Sequence, residues 1–583
     1  SVYAELVEAD YVEGWDLQDR IAYSHAGYFI DSTKIALTGK KLCDKFEILK
    51  DNNIVLSKDI KEITTDLGLF YQMDFSEVRD NGTYKIKYGN NITGEFEISN
   101  NSYDESIWKS VNFLRLLRCG EDIPGVHSAC HLNCRSMHPN GSSVPNYGGW
   151  HDAGDVSQFE IPTAEMAHAI IDLALAVKDK DELLYERLIE EARVGINWLL
   201  RTRFGDGMRA LAITYSIWRK NVLTPDNKTV YSNVAENGPF ENFCASAALA
   251  KAYLVYNNED KVFADWCLRS AKEDFEFAKD GYKQGIYTKR WGPNVDSQVC
   301  GHGIIAAIEL YKCTLDSYYI DVAATYAKIV LACQQSDTPD WDIPLRGFFY
   351  EDPNHKWMLT YEHRGHEQSP VQGLAMLCEV ASNHPDYETW INGLKLYREY
   401  VLDSMKLTKP YGLVPGHVYV LDKLNSDRFT IPASYGTIPE GMEILRNQAR
   451  SGKKLADNVY LRIFPVAVQR RGYHATLLSK TKAISMIAKV LNDEELKQIA
   501  IDQLEWVMGK NPFASSTMYG CGYNYHPLYV AFSRQMVGAL PVGIMTNGDN
   551  DAPYWPVRDH AVFKEIWGHT TGKYLWVLAD LIK

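Results

Sequence analysis

The sequence predicts a mainly α protein with two units, a small β-sandwich followed by a large helical domain. Up to about residue 100, about seven short runs alternate apolar and polar residues between turn signals, which is typical of half-buried strands in a sandwich. From Ser106 onward, about twelve segments place apolar residues at i, i+3, i+4 and i+7, the pattern of amphipathic helices. We therefore expect domains at 1–102 and 103–583.

The connections between the helices indicate how the second domain is built. Short and long connections alternate, which fits a double ring of six inner and six outer helices. Long structureless connections in a compact domain usually carry function, so we expect the functional site among them. They span 119–160, 203–240, 335–366, 405–471 and 511–560.

Composition excludes several classes of partner. The 583 residues have a net charge of −14 and form no basic stripe, so we expect no nucleic-acid partner. No segment reaches the ~20 apolar residues of a membrane span. The 11 cysteines are mostly isolated in apolar runs, which disfavours a disulfide framework. Because the chain opens at Ser1 without Met, we interpret it as a processed or trimmed form. Separately, we expect a monomer that is secreted, periplasmic or at the cell surface of a bacterium.

The first chemical motif is Gly-Gly-Trp-His-Asp-Ala-Gly-Asp at 148–155. Asp152 and Asp155 stand three residues apart in this glycine-rich loop, and glycine lets a backbone turn sharply and approach a ligand. Two such carboxylates can converge on one water molecule. An inverting glycosidase needs such a carboxylate on one face of the sugar, and a protonated carboxylic acid ~6.5–9.5 Å away on the other side of the bond. The alternative is a turn or a helix N-terminus, where Asp is common.

A second segment, near the C-terminus, offers the partner carboxyl. Glu565 is expected to open an apolar helix after the acidic loop 547–560. Apolar neighbours such as Trp567 would raise the pKa of this carboxyl, which suits a general acid. The alternative is a glutamate that the helix dipole stabilises in a first turn.

A third cluster has the residue types of a metal site. Thiol and imidazole side chains at mixed spacing are typical of a closed structural zinc site, and an ion there would fix the loop that carries both aspartates. The alternatives are a disulfide and a histidine satisfied by hydrogen bonds. The residues are Cys119, Cys130, His131, Cys134 and His151.

At these positions the sequence resembles glycoside hydrolase family nine, the cellulases with a catalytic (α/α)6 barrel. Within that family it is similar to the subgroup with an N-terminal immunoglobulin-like domain. The resemblance spans nearly the whole chain and rests on 148–155, on the Cys-Gly pair at 119–120, on 509–522 and on Glu565.

The resemblance implies a role for each carboxyl. Asp155 would be the base that activates water, Asp152 would help to hold that water, and Glu565 would protonate the leaving oxygen. A structural zinc with two cysteine and two histidine ligands is also implied, with Cys134 as a spare or as a competitor of Cys130. Calcium is common in the family, and the acidic stretches 337–342 and 546–551 are where we would expect it. The implied zinc ligands are Cys119, Cys130, His131 and His151.

Predictions for substrate binding depend on loop aromatics and on one departure from the family. Its usual His-His-Arg segment is replaced by 522–534, where His526 is the nearest equivalent and Arg534 a distant one. An aromatic face suits the C–H side of a sugar ring, although most aromatics in a chain of this size belong to the core. The predicted sugar-binding residues are Trp150, Tyr215, Trp218, Trp357, His363 and His526.

Together these features predict an inverting, endo-acting hydrolase of β-1,4-glucosidic bonds. Soluble or branched β-glucans, including mixed-linkage glucan and xyloglucan, fit better than crystalline cellulose, since no carbohydrate-binding module is visible. No organic cofactor is expected. The alternatives are an exo-acting β-glucosidase, cellobiosidase or glucosaminidase with a blocking loop in 405–471, a non-catalytic carbohydrate-binding protein, and a polysaccharide lyase. The three carboxyls disfavour the last two.

Overall fold

The structure is a computed structural model that describes most of the chain. It covers residues 14–582 except 133, 156, 216–229, 232–237, 287–294, 360–363, 425–430, 432, 468–470, 532 and 558–559. Of residues 214, 215, 230 and 231 it describes the backbone alone.

The described N-terminal residues form a sandwich of two antiparallel sheets. Its strands are β1 (Ile35–Thr38), β2 (Lys45–Lys50), β3 (Asn53–Asp59), β4 (Lys61–Thr65), β5 (Gly68–Asp74), β6 (Gly82–Tyr88), β7 (Asn91–Ile92) and β8 (Phe96–Ile98). One sheet has the order β1-β5-β4, and the other β3-β2-β6-β7 with β8 paired to β6. Alternate residues of both sheets, among them Phe46, Met73 and Ile86, form one apolar core, as the pleat of a strand dictates.

The helical part follows at residue 104. Its helices are α1 (Asp104–Leu116), α2 (Glu160–Val177), α3 (Glu182–Arg201), α4 (Pro239–Tyr256), α5 (Lys261–Lys283), α6 (Asp296–Thr314), α7 (Ser317–Ala332), α8 (Ser369–Val380), α9 (Tyr387–Ser404), α10 (Ile438–Arg450), α11 (His474–Leu491), α12 (Glu494–Val507), α13 (Ala561–Lys564) and α14 (Gly568–Leu581). Short strands lie in the connections, and they are β9 (Arg135–Met137), β10 (Ser143–Pro145), β11 (Gln158–Phe159), β12 (Ala212–Tyr215), β13 (Val230–Tyr231), β14 (His417–Val420), β15 (Lys453–Ala456) and β16 (Val459–Arg462).

The inner helices close into a ring. Helices α2, α4, α6, α8 and α11 each pack on the next, α11 packs on α14, and α14 packs on α2. Most residues of α2, α4 and α6 are buried on every side, as expected for helices enclosed by neighbours. The outer helices α3, α5, α7, α9 and α12 each pack on the inner helix that precedes them, and α1 packs on α14. The predicted (α/α)6 barrel is confirmed.

One helix lies where the sequence predicted only a long connection. Helix α10 falls within 405–471 and begins with a capping box between Thr437 and Glu440. Its short apolar stripe includes Met442 and Leu445, which pack with Tyr419 in a small core of their own. Because the stripe covers only one side of a short helix, the sequence shows no long periodic segment there.

The sandwich and the barrel are in direct contact. Trp15 packs against Tyr411 and Trp506 of the barrel with ring centroids 5.6 and 6.0 Å apart, and the His25 backbone N–H donates to the Met508 carbonyl at 2.8 Å. No helix in the described part of the chain is long and apolar enough to cross a membrane.

Candidate active site

Ser157 closes the loop that carries the two aspartates. The Asp152 N–H donates to the Ser157 carbonyl at 2.8 Å, and the Ser157 N–H donates to Asp155 Oδ1 at 3.2 Å. The Asp155 carboxylate is therefore held in place while it stays partly exposed, whereas Asp152 is 8% exposed. Helix α2 begins five residues after Asp155, so the site lies at the end of the barrel where α2 starts.

The segment around Glu565 lies against this loop although about 400 residues of sequence separate the two. The Gly154 N–H donates to the Ile566 carbonyl at 3.1 Å, and the Gly568 N–H donates to the Asp152 carbonyl at 2.9 Å. Backbone hydrogen bonds thus fix the aspartate loop and the Glu565 segment to each other directly.

A third segment, 529–531, pairs with both. The Ala531 N–H donates to the Gly154 carbonyl at 2.9 Å, and the Tyr529 N–H donates to the Lys564 carbonyl at 2.8 Å. A Cβ on Gly154 would lie 2.9 Å from the Tyr529 carbonyl oxygen and 3.4 Å from Glu565 Cγ. Glycine at 154 therefore lets the loop and the Glu565 side chain approach each other.

The structure corrects the predicted place of Glu565. This residue does not open the last helix. It follows α13 with an extended ψ of 126°, and α14 begins at Gly568. The physical reason is the pairing of its backbone with other loops, because Val542 N–H donates to the Glu565 carbonyl at 2.8 Å and Tyr529 forms a parallel bridge with it.

All three carboxyls have raised pKa values. Burial raises the pKa of Glu565 to about 7, and the negative charge of Asp155 adds to this rise. Burial likewise raises the pKa of Asp155 and holds that of Asp152 well above its usual value. A carboxyl with a pKa near neutrality, as at Glu565, can hold a proton and release it, which a general acid requires.

Two arginines face these carboxyls, and neither was among the predicted site residues. Arg364 Nη2 lies 3.6 Å from Asp152 Oδ2, and its guanidinium is 4.0 Å from the Phe159 ring centroid. Arg471 Nη1 lies 3.3 Å from Glu565 Oε2, and both arginines oppose the rise in the pKa of Glu565. Arg364 belongs to the polar run 361–367, which was a usable signal. Arg471 has no sequence signal of its own.

The predicted metal ligands come together beside the loop. One ligand atom from each of Cys119, Cys130, His131 and His151 lies within 4.8 Å of the others, and all four residues are buried. Cys130 Sγ is 3.2 Å from His151 Nε2. Two thiols and two imidazoles in a closed buried site are the donor set of structural zinc, so the group is compatible with a zinc ion.

The residues around this group bear on two alternatives, a disulfide and Cys134 as a competing ligand. Cys134 is buried but does not belong to it, and all 11 cysteines have free thiols, so no disulfide competes. His127, not predicted, has its ring centroid 4.9 Å from that of His151, and its two nitrogens face the carbonyls of Ser128 and Leu116 at 2.9 and 3.0 Å.

Among the described residues, neither acidic stretch expected to bind calcium brings together three or more side chains that could hold a metal ion. In the stretch 546–551, Asp551 is already used internally. It accepts from the backbone N–H groups of Ile463 and Phe464 at 2.7 and 2.9 Å and lies 3.3 Å from the Arg462 guanidinium.

A sequence profile of glycosyl hydrolase family 9 matches residues 103–552. The chain belongs to this family. Both aspartates lie within the match, and Glu565 lies 13 residues beyond its end. Endoglucanase D of Acetivibrio thermocellus is 22% identical over 384 residues, which are 57% of this chain and 58% of that protein. The chain thus spans little more than half the length of this relative.

Solved structures of family 9 share the whole fold. A Bacteroides ovatus family 9 protein has a TM-score of 0.66 at 14% identity over 96% of this chain and 98% of its own. A zinc-binding triple mutant of the family 9 endoglucanase J30 has a TM-score of 0.65 at 17% identity over 95% of this chain and 99% of its own.

The predicted sugar-binding residues of this family 9 chain have different surroundings. Trp150 is 1% exposed and donates from Nε1 to Glu191 at 2.8 Å, so its ring has no open face and the prediction for it was wrong; the glycine-rich loop folds it inward. Trp357 and His526 are partly exposed. His526 stacks on Trp555 with ring centroids 6.4 Å apart.

Three of the predicted sugar-binding positions cannot be placed. Trp218 and His363 lie outside the described residues, and Tyr215 has its backbone alone in β12. For these positions the sequence prediction stands unchanged.

Proposed function

We propose that this family 9 chain hydrolyses β-1,4-glucosidic bonds of β-glucans with inversion at the anomeric carbon. The observation that carries the proposal is the direct pairing of the Asp155 loop with the Glu565 segment, which joins a partly exposed carboxylate to a buried carboxyl with a pKa of about 7. These are the two groups that an inverting glycosidase needs.

The chain's own residues supply each proton transfer. Asp155, oriented by Ser157, takes a proton from the attacking water. The water oxygen bonds to the anomeric carbon while the bond to the leaving oxygen breaks, and Glu565 gives its proton to that oxygen. Arg471, 3.3 Å away, stabilises the carboxylate that remains. Attack on the face opposite the leaving group turns a β-linkage into an α-product.

Endo action on soluble or branched glucans is the form we propose. Several similar proteins are named endoglucanases, including Endoglucanase D of Acetivibrio thermocellus and Endoglucanase 19 of Arabidopsis thaliana. We further expect a monomer outside the cytoplasm, which sedimentation and cell fractionation would test.

The test is digestion of carboxymethylcellulose, mixed-linkage glucan and xyloglucan, with viscosity and the anomeric form of fresh product followed together. We expect a fast fall in viscosity and α-product on at least one substrate. A slow fall with early release of mono- or disaccharide would indicate exo action. β-Product would contradict the assignment of Asp155 and Glu565, and an unsaturated product end would indicate a lyase.

We also propose that Cys119, Cys130, His131 and His151 hold a structural zinc. The ion would tie the start of the barrel to the residue before Asp152 and so stiffen the catalytic loop. Cys130→Ser is expected to lose the metal and to melt at lower temperature. Cys134→Ser removes a nearby buried thiol outside the group and is the matched control, with its metal retained. The metal content of the purified native protein is measured by mass spectrometry. A native protein that contains no zinc would refute the site.

A further inference from the structure

Glu165 lies at the centre of a buried polar cluster inside the barrel. It belongs to α2, ten residues after Asp155, and is 2% exposed. Side-chain ligand atoms of Glu165, His366 and His569 lie within 4.8 Å of one another. None of these residues takes part in the proton transfers described above, so the cluster needs an explanation of its own.

Four donors converge on the Glu165 carboxylate. Oε1 accepts from Gln368 Nε2 at 2.7 Å and from His366 Nδ1 at 3.3 Å. Oε2 accepts from Lys573 Nζ at 3.1 Å and from His569 Nε2. The donors come from two places, the segment before α8 and the first turns of α14. Both oxygens are therefore fully used, and the carboxylate joins two elements across the barrel.

The Glu165 carboxylate has a lysine partner within the cluster, with Lys573 Nζ 3.1 Å from Oε2. Burial alone would raise the pKa of Glu165, but Lys573 and the imidazoles hold it well below its usual value, so the group is ionised. Burial lowers the pKa of His569 to about 3, so this ring is neutral. A divalent ion on Glu165 Oε2 would lie beside the Lys573 ammonium and be repelled.

Both elements held by this carboxylate also contact the catalytic loop. His366 lies two residues after Arg364, whose guanidinium faces Asp152. His569 lies four residues after Glu565, and the residue before it donates its backbone N–H to the Asp152 carbonyl. A movement of either element would displace a group that faces the reacting sugar.

We propose that Glu165 is a positioning residue for the catalytic acid Glu565. This proposal rests on the hydrolase function proposed above. By joining α14 to the segment that carries Arg364, the buried carboxylate sets where the acid lies relative to the aspartate loop. Misplacement of a catalytic group by 1 Å costs on the order of 100-fold in rate, so loss of this tie should reduce proton donation far more than it reduces binding.

The test compares Glu165→Gln with Glu309→Gln. Glutamine keeps the shape but loses the charge and one acceptor oxygen. Glu309 is a matched control because it is also buried and faces Lys251 at 3.3 Å, yet it lies in α6, away from the catalytic loop. On glucan we expect Glu165→Gln to lower kcat on the order of 100-fold with KM changed less than about threefold, and the control to keep both.

Leaving-group dependence separates positioning from general damage. An aryl β-cellobioside with an acidic phenol needs little proton donation, so Glu165→Gln should recover most of its rate on it. Equal losses on glucan and aryl substrate, wild-type kcat in Glu165→Gln, or the same loss in Glu309→Gln would each overturn the proposal. A second metal equivalent that His366→Gln removes would also overturn it.

A double variant and the activity of the wild type distinguish the remaining outcomes. If Glu165→Gln does not fold because Lys573 is left buried and unpaired, the double variant Glu165→Gln/Lys573→Met removes both charges and takes the same assays with the same expected result. Failure of the hydrolase function itself looks different, because the wild type would then cleave no β-glucan, and the positioning role would fall with it.

Discussion

The carboxyls at the aspartate loop and two carboxyls deeper in the barrel, Asp172 and Glu309, have opposite electrostatic surroundings. Burial raises the pKa of Glu565 to about 7, and Asp155 raises it further. Deeper along the inner helices, burial would also raise the pKa of Asp172 and Glu309, but Lys251, 2.7 and 3.3 Å away, lowers both. The same side-chain type is thus kept ready to hold a proton in one region and ionised in the other.

The two regions differ in whether a cationic side chain fully compensates the buried carboxyl. A buried carboxylate without compensation costs several kcal/mol, and the barrel interior avoids that cost by placing a lysine against Asp172 and Glu309. At the catalytic end the arginine beside Glu565 only partly offsets burial, and the remaining imbalance keeps a proton available near neutral pH.

The largest expected effect is that of Glu565→Gln. The amide cannot protonate the leaving oxygen, so kcat on glucan should fall about 1,000-fold or more, measured by reducing-end assay on folded, purified protein. Circular dichroism should show an unchanged fold. Full activity in this variant would remove Glu565 from the reaction.

The two aspartates should differ in the size of their effects. Asp155→Asn removes the base and should cost kcat nearly as much as loss of the acid, whereas Asp152→Asn should cost about 10- to 100-fold because it acts on the water through placement and charge. Steady-state kinetics of both variants in parallel would measure this. A larger loss in Asp152→Asn would exchange the two roles.

Lys251→Met tests the deeper region. The change removes the lysine that lies between Asp172 and Glu309, which should destabilise the fold by about 3–5 kcal/mol, while kcat per folded molecule stays within about threefold. Urea unfolding and kinetics below the transition would show this split. Loss of activity without loss of stability would mean that the two regions are not separate.

The smallest expected effect is a pH-dependent gain in stability in Glu565→Gln. Since the pKa of Glu565 rises from 4.5 unfolded to about 7 folded, its contribution to stability is complete below pH 4.5 and is lost as the pH rises through 7. The variant should therefore match the wild type at pH 4 and exceed it by about 3 kcal/mol at pH 8. Melting curves at both values would measure this, and an equal shift at both would mean that folding does not raise the pKa of Glu565.

Local sequence patterns predicted much of the fold and the candidate carboxyls of the site. Apolar periodicity located the inner helices, and the motif at 148–155 located both aspartates. The pairing of Gly154 with Ile566, the contact of Arg471 with Glu565 and the ties of Glu165 to α14 join positions far apart in the chain. No pattern within a window of sequence reports such contacts. Burial of Trp150 depends in the same way on α3, where a Cβ on Gly195 would meet its ring.

Closure of the ring by its last helix has a consequence for synthesis on the ribosome. The aspartates emerge early, but Glu565 and α14 emerge about 400 residues later, which at 5–20 residues per second takes roughly 20–80 s. Throughout that time the nascent barrel is an open arc with an unpaired face on α2, and the proposed acid is not yet beside the aspartate loop. The proposed acid and base therefore meet only after α14 has been made and has docked on α2.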